Sequence, residues 1–427
     1  MNKYDKYKSV SLPWVNEIPE HWEIIRNKNI FMEKKKSVGS QFEKYKLLSL
    51  SLKGVIERNL EDGGKFPASF EKYTIVNPKD LVFCLFDIDE TPRTIGISKI
   101  EGMITSAYNI MAVKKDCAKY MYYFYLYLDF IKGLKPYYSS LRKTVNIDTF
   151  NSFKILIPPI KEQEQIVNYL DWKINDIDRL IQLEKEKIKE LNQIMQFAID
   201  SRYKILNIED TTDMGIKIKF LANQITQRSS ESRRYIALEN IISKKGMLNI
   251  SFNELEFNSD GILVEKDMVI FGKLRPYLAK AIVIENKAVC SSEFLVLKPH
   301  KVLPLYLKYL MLSSKFIDLV DSSTYGTKMP RVNADFILNL KIVVPDLSEQ
   351  KEIVERILEH ENKVNKAIEI ILRKIISMEY LKQSLISEVV TGKIDVRNVV
   401  IPEYEKVTLL DDEIEEFDEM EGIEDGD

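Results

Sequence analysis

Residues 158–203 read PPIKEQEQIVNYLDWKINDIDRLIQLEKEKIKELNQIMQFAIDSRY, and a second stretch starting at Pro345 reads PDLSEQKEIVERILEHENKVNKAIEIILRKIISMEYLKQSLISEVVTG. The two align at an offset of 187 residues: Pro158 maps to Pro345, Glu162 to Glu349, Gln163 to Gln350, Ile166 to Ile353, Val167 to Val354, Ile181 to Ile368 and Ile188 to Ile375. In the first copy Ile174, Ile181, Ile188 and Met195 recur every seven residues. Ile177 and Leu191 supply the other seam position, with Glu184 interrupting it. In the second copy the seam is Val364, Ile371, Met378 and Leu385, with Ile368 and Ile375 beside it. Apolar heptads with charge between them predict a coiled coil. No proline interrupts either run, and a helix of about 43 residues would be ~65 Å long. Tyr203 is read as lying beyond the seam, where an insertion is expected to be tolerated.

The repeat reaches outward from the helices. At the same offset Lys79-Asp80 maps to Lys266-Asp267, Val82 to Val269, Val145-Asn146 to Val332-Asn333, Asp148 to Asp335, Lys154 to Lys341 and Ile155 to Ile342. The chain is therefore read as a domain (1–158), a long helix (159–203), a linker (204–215), a second domain (216–345), a second helix (346–392) and an acidic tail (401–427). The fold class is α+β: two similar mixed α/β domains separated by two long helices, related by a pseudo-twofold. A twofold perpendicular to the helix axes makes the coiled coil antiparallel.

Inside the first domain Asn77-Pro78-Lys79-Asp80 predicts a turn leading into a strand from Leu81 to Phe86. GMITSAYNIMAV is a further strand candidate, KYMYYFYLYLDFIKGL a buried helix ending near Gly133, and FKILIP the strand before the long helix. DMVIFG, AVCSSEFLVLKP, LPLYLKYLMLSSKFIDLV and LKIVVP follow the same order in the second domain. Thr391-Gly392 is expected to end the second helix.

Composition narrows the class. The apolar share is 45% and the charged share 30%, as in water-soluble globular chains. No apolar run reaches the ~18 residues of a membrane span, and the start MNKYDKYKSV has no signal-peptide core. Cys84, Cys117 and Cys290 are few and far apart, which fits reduced thiols in a cytoplasm. The scattered His21, His300 and His360 form no zinc pattern. The net charge of -3 hides an asymmetry: the tail holds thirteen acidic residues and one Lys, so that of 65 acidic and 62 basic residues 52 and 61 remain in 1–400. A basic body suits a nucleic-acid partner, and the tail reads as solvated and disordered.

No phosphate-binding loop or dinucleotide fingerprint is present. Asp87, Asp89 and Glu90 are read as a surface loop and not as a metal site, because the repeat offers Leu274, Pro276 and Tyr277 in their places. What remains is the basic and aromatic loop chemistry that duplex DNA requires, since Lys and Arg neutralise phosphates and Arg, Lys, Asn and Gln read base edges. The loop 272–277 can project Lys273, Arg275 and Tyr277; the loop 325–331 carries Tyr325, Lys328 and Arg331; its partner in the first domain carries Tyr138, Arg142 and Lys143. Lys34, Lys35, Lys36, Arg58, Arg93, Arg228, Arg233 and Arg234 are further candidates. A lone surface cation is usually just solvated; the recurrence of basic loops at equivalent places is the signal.

With these motifs the chain resembles the specificity subunits of type I restriction-modification systems. The likeness rests on the stretch from Leu12-Pro13-Trp14 to Ile18-Pro19-Glu20-His21-Trp22-Glu23 and on the doubled junction ILIPPIKEQEQIV and IVVPDLSEQKEIV. FGKLRPYLAK with CSSEFLVLKP, and DLVFCLFDIDETPRTIGI with GMITSAYNI, resemble two different classes of target-recognition domain. The likeness covers residues 12–400. It implies that each domain reads one half of an interrupted, asymmetric double-stranded DNA site, and that the helices space the domains. It also implies that two methyltransferase subunits dock on the helical regions and restriction subunits join them. AdoMet, ATP and magnesium would belong to those partners, leaving this subunit non-catalytic and without a cofactor of its own. Two other readings stay open on the residues alone. A methyltransferase or nuclease with its own active site would transfer methyl groups unaided. A protein-only coiled-coil scaffold would show no salt-dependent DNA binding.

Overall fold

Each repeated stretch forms one helix in the computed structural model, which describes residues 2–58, 69–139, 143–203, 215–229, 231–326 and 328–407. In chain order the helices are α1 (Asn27–Ile30), α2 (Ala118–Phe130), α3 (Ile147–Ser152), α4 (Ile160–Asp200), α5 (Pro304–Leu312), α6 (Ser314–Ser322), α7 (Ala334–Asn339) and α8 (Leu347–Val390). The linker 204–215 up to residue 214 and the tail from residue 408 lie outside the described residues.

The chain divides into two compact units, and neither long helix belongs to one of them alone. The first unit holds the chain up to Gln182 and again from Lys374; the second holds Leu183–Arg373. Each unit therefore contains the start of one long helix and the end of the other. In the first, Lys382 Nζ on α8 lies 2.7 Å from Asp178 Oδ1 on α4. In the second, Ile199 near the end of α4 shares a core with Val354 and Ile357 near the start of α8. Pairing start with end makes the two helices antiparallel. Ile177, Ile181, Ile188, Val364, Ile368, Ile375 and Leu385 are buried, while Ile174, Met195, Ile371 and Met378 are half-buried. Glu184 is buried too, with Lys187 Nζ 3.0 Å away.

Both units carry the same four-stranded antiparallel sheet. Its order is Phe31–Lys34, Asn109–Val113, Leu81–Phe83, Ile95–Ile97 in the first and Ala222–Gln224, Phe294–Pro299, Val269–Gly272, Ala281–Val283 in the second. The second unit adds a five-stranded sheet, in which Arg233–Ile236 runs parallel to Ala288–Cys290. The central strands Leu81–Phe83 and Val269–Gly272 are buried throughout, which is why every residue in them is apolar or glycine. In the first unit Phe31, Phe83, Tyr125 and Phe150 pack with ring centroids 4.8–6.0 Å apart. Tyr125 donates to the buried Asn27 Oδ1 at 2.7 Å.

Several sequence expectations change. GMITSAYNIMAV is two strands in different sheets, split where Tyr108 N bonds Thr105 O. LPLYLKYLMLSSKFIDLV is two helices, because Ser313 takes an extended backbone and its hydroxyl bonds Leu310 O at 2.6 Å. Helix α2 stops at Phe130, and it is Lys132, at φ 47°, rather than Gly133 that turns the chain. The end of α8 follows the glycine rule: Gly392 has φ 75°, and a Cβ there would collide with Pro19. Tyr203 is not a tolerant site. It is 7% exposed, its ring packs on Tyr306, and its hydroxyl donates to Tyr306 O at 3.1 Å. The mapping of Lys79-Asp80 onto Lys266-Asp267 slips by one residue. The two turns superimpose with Asp80 on Met268: Asp80 N bonds Asn77 O as Met268 N bonds Glu265 O. The strands then start at Leu81 and Val269, and the left-handed residues are Lys79 (φ 72°) and Asp267 (φ 68°). Hydrogen bonding sets this register; letter identity does not.

The doubled Glu-Gln has a structural meaning for its second member. Gln163 Nε2 donates to Pro158 O and Gln350 Nε2 to Pro345 O, each at 2.9 Å. Each side-chain oxygen accepts a backbone N–H, from Cys117 and Leu303, at 3.0 and 2.9 Å. Each glutamine thereby ties the start of a long helix to the first turn of α2 or α5. Asn146 and Asn333 likewise cap α3 and α7.

Candidate nucleic-acid interface

In the second unit the two basic loops meet. The strand Val269–Gly272 ends where Gly272 N bonds Lys280 O at 2.9 Å, leaving 273–279 as a loop. The segment 325–331 turns back on itself through paired bonds between Tyr325 and Arg331, each 3.0 Å, with Gly326 at φ 92°. Arg275 N then bonds Pro330 O at 2.7 Å, and Val332 N bonds Lys273 O at 3.0 Å, so one loop braces the other. Arg331 Nη2 donates to Glu293 Oε1 at 2.7 Å, and Lys273 N bonds Glu293 O at 2.9 Å. Burial pulls the Lys273 ammonium below its ordinary value, which nearby Glu293 partly offsets. Arg275 is exposed, sits in the left-handed region (φ 50°), and has no side-chain partner among the described residues. Lys328 is exposed, as are Tyr277 (42%), Tyr325 (60%) and Met329 (61%). The result is a braced surface with free cations and aromatic faces, which can contact phosphates, base edges and sugars.

The equivalent place in the first unit is built on the same backbone but filled differently. Cys84 N bonds Thr94 O at 2.8 Å, closing a loop two residues longer, and Val145 N bonds Leu85 O at 2.9 Å. Here Tyr138 donates to Asp89 Oδ1 at 2.9 Å, and Lys143 Nζ lies 3.3 Å from Asp89 and 3.5 Å from Glu90. The Tyr138 hydroxyl, then Lys143, hold the Asp89 carboxyl below the usual range. Burial, then Asp89, push the Tyr138 hydroxyl up. Tyr138 and Lys143 are thus engaged within the loop pair. Arg142 lies outside the described residues. The acidic loop holds no metal-type cluster; among the described residues no group of three His, Cys, Asp or Glu could hold an ion.

The other cations are dispersed. Lys34 is half-buried and paired with Asp80 at 2.7 Å, and Lys35 pairs with Glu33 at 3.0 Å. Lys36 and Arg58 are exposed. Arg93 Nη2 donates to Leu52 O at 3.1 Å, and its guanidinium lies 5.7 Å from the Phe130 ring centre. Arg228 pairs with Asp260 at 3.0 Å, and Arg233 with Glu231. Arg234 donates to Leu255 O and stacks over Phe257 at 4.2 Å. Sequence reading missed Asp80, Glu293, Phe257 and Met329. Glu293 carried a signal, being the one charge inside CSSEFLVL. Asp80 was hidden by the one-residue slip.

The comparisons agree with this architecture. The family described as "Type I restriction modification DNA specificity domain" matches twice, over residues 19–193 and 201–374. The MjaVIII type I restriction enzyme specificity subunit of Methanocaldococcus jannaschii is 23% identical over 430 residues, 90% of this chain and 95% of its own. The EcoDI specificity subunit of Escherichia coli is 23% identical over 193 residues, 44% of this chain and 41% of its own. A solved chain from work on complex assembly and conformational transition of the type I R-M system superimposes with a TM-score of 0.61. It covers 88% of this chain and 99% of its own at 10% identity, a likeness of fold. With the family matched over most of its length, the chain belongs to the type I restriction-modification DNA specificity family and is a non-catalytic DNA specificity subunit of such a complex.

Proposed function

We propose that each unit reads one half of an interrupted, asymmetric double-stranded DNA site, and that the surface doing so in the second unit is the braced loop pair 273–278 and 325–331. One observation carries this reading: Arg275, Lys328, Tyr277 and Tyr325 stand exposed on loops fixed to each other by backbone hydrogen bonds. Fixed loops avoid much of the ordering cost of binding. Lys273 and Arg331, held beside Glu293, supply the adjoining positive charge. In the first unit the loop pair 85–93 and 138–145 has the corresponding role, with Lys35, Lys36, Arg58 and Arg93 as further phosphate contacts.

In this reading the antiparallel helices set the spacing between half-sites and carry two methyltransferase subunits, with restriction subunits joining that assembly. AdoMet, ATP and magnesium act on those partners. The work is cytoplasmic, where DNA and reduced thiols coexist, and no described helix is long and apolar enough to cross a membrane. Methylation-site sequencing of cells carrying this chain with its methyltransferase partner tests the proposal. A two-part adenine motif that disappears when the chain is deleted is the expected result. Methyl transfer by the purified chain alone, or DNA binding indifferent to salt, would overturn it.

A further inference from the structure

The two loop pairs share a bracing bond and a left-handed residue, and at that residue they carry opposite charges, neither with a side-chain partner among the described residues. Asp87 in the first unit and Arg275 in the second are both left-handed, at φ 47° and 50°. Each lies two residues past an equivalent bond, from Val145 N to Leu85 O and from Val332 N to Lys273 O. Each follows a central strand paired in the same way on both sides. Asp87 therefore stands where Arg275 stands. The sequence offset of 187 instead matched it with Leu274 and obscured the exchange.

The neighbours of both residues are spent on each other. Around Asp87, Asp89 and Glu90 are taken up by Tyr138 and Lys143. Around Arg275, Arg331 is taken up by Glu293. Neither the Asp87 carboxylate nor the Arg275 guanidinium has a hydrogen-bond or ion-pair partner among the described residues. Left-handed residues other than glycine are uncommon, and both loops have one with an ionic side chain at the same place.

We infer that Asp87 and Arg275 are paired specificity determinants of opposite hydrogen-bond polarity: Arg275 donates to a guanine edge in one half-site, and Asp87 accepts from a cytosine amino group in the other. The inference rests on the reading that these loops meet DNA. Arginine fits the O6 and N7 acceptors of guanine, and a carboxylate accepts from cytosine N4. A carboxylate facing phosphates would be repelled, whereas at a base edge it has a donor to accept from, and this favours the base edge for Asp87. Adenine is the poorer match, because its N7 acceptor sits beside its amino group.

The test is motif sequencing with the assembled methyltransferase complex containing wild-type chain, Asp87→Asn and Asp87→Arg. Asp87→Asn is nearly isosteric, and Asp87→Arg introduces a residue that the same backbone already carries at Arg275. Asp87→Asn should lower discrimination at one position of one half-site by roughly 10- to 100-fold and leave the other half-site unchanged. Asp87→Arg should move the preference at that position toward guanine. If Asp87→Asn keeps every base preference, or strengthens methylation of all sequences equally, Asp87 merely repels phosphate and the inference fails. A wild-type complex with no bipartite motif would instead overturn the underlying reading, and the inference with it.

Discussion

Glu162 offers the sharpest test of how the repeat is used. Its carboxylate is 6% exposed and accepts from the Tyr4 hydroxyl at 2.6 Å and the Trp22 indole at 2.9 Å, with His21 Nε2 at 2.7 Å. Tyr4 and Trp22 are 5% and 0% exposed. Burial, then Glu162 itself, push the Tyr4 hydroxyl well above its ordinary value. Glu162→Ala leaves two buried donors without an acceptor, each costing ~1–3 kcal/mol. The half-exposed His21 contact adds less than about 1 kcal/mol. The expected loss is therefore about 2–7 kcal/mol. Tyr4 and Trp22 both donate to Oε1, so Glu162→Gln, which can keep that oxygen as an acceptor, should lose much less than Glu162→Ala. The repeat equivalent, Glu349, is exposed, so Glu349→Ala should stay within ~0.5 kcal/mol. Urea unfolding followed by tryptophan fluorescence reads the first unit alone, because Trp14, Trp22 and Trp172 all lie there. The exposed Glu164→Ala is its control, and circular dichroism follows Glu349→Ala. Equal shifts for Glu162→Ala and Glu164→Ala would refute the argument.

Arg275→Ala should weaken DNA binding: by ~1–3 kcal/mol at one base position if it reads a base, or across all sequences with a smaller salt slope if it touches phosphate. Titrations at several salt concentrations distinguish these, and unchanged binding would remove the loop from the interface. Lys34→Ala strands the buried Asp80 carboxylate, which keeps only the Asn77 N–H. It should cost ~1–3 kcal/mol of first-unit stability while leaving the DNA affinity of folded protein unchanged. Seven residues inserted after Gln182 together with seven after Arg373 keep both heptads in register. Each helix gains ~10 Å, and the half-site spacer should grow by about three base pairs; an unchanged spacer would refute the ruler role. Burial pushes the Cys290 thiol up to about 12 from 9.0. Because the folded value is the raised one, its contribution is complete below pH 9 and is lost as pH climbs toward 12. Buried tyrosines such as Tyr306, also pushed up to about 12, lose stability over the same window, so chemical denaturation should show a fall that is smaller, not absent, in Cys290→Ala. Alkylation at neutral pH should reach the half-buried Cys117 before the buried Cys84 and Cys290.

The sequence by itself determined the doubling, the two long helices and the family, because those features repeat in the letters. Proline, glutamine and the apolar heptad recur at one offset, since each meets the same local demand at a helix start or along a seam. Asn146 and Asn333 recur at the same offset, but that they cap α3 and α7 is seen only in the structure. What the tertiary structure decided was which equal letters do equal work. Glu162 and Glu349 share a place in the repeat, yet only Glu162 is buried, because Tyr4 and Trp22 are brought to it from more than 130 residues away. Tyr203 looked peripheral by periodicity and is a core residue, because Tyr306 arrives from a distant helix. The candidate interface was legible only as scattered cations. Backbone bonds from Arg275 to Pro330 and from Val332 to Lys273 join its loops, while Asp80 and Glu293 draw Lys34 and Arg331 into ion pairs. Charge can be read from composition, but whether a charge is free depends on the partner that folding brings within about 3 Å.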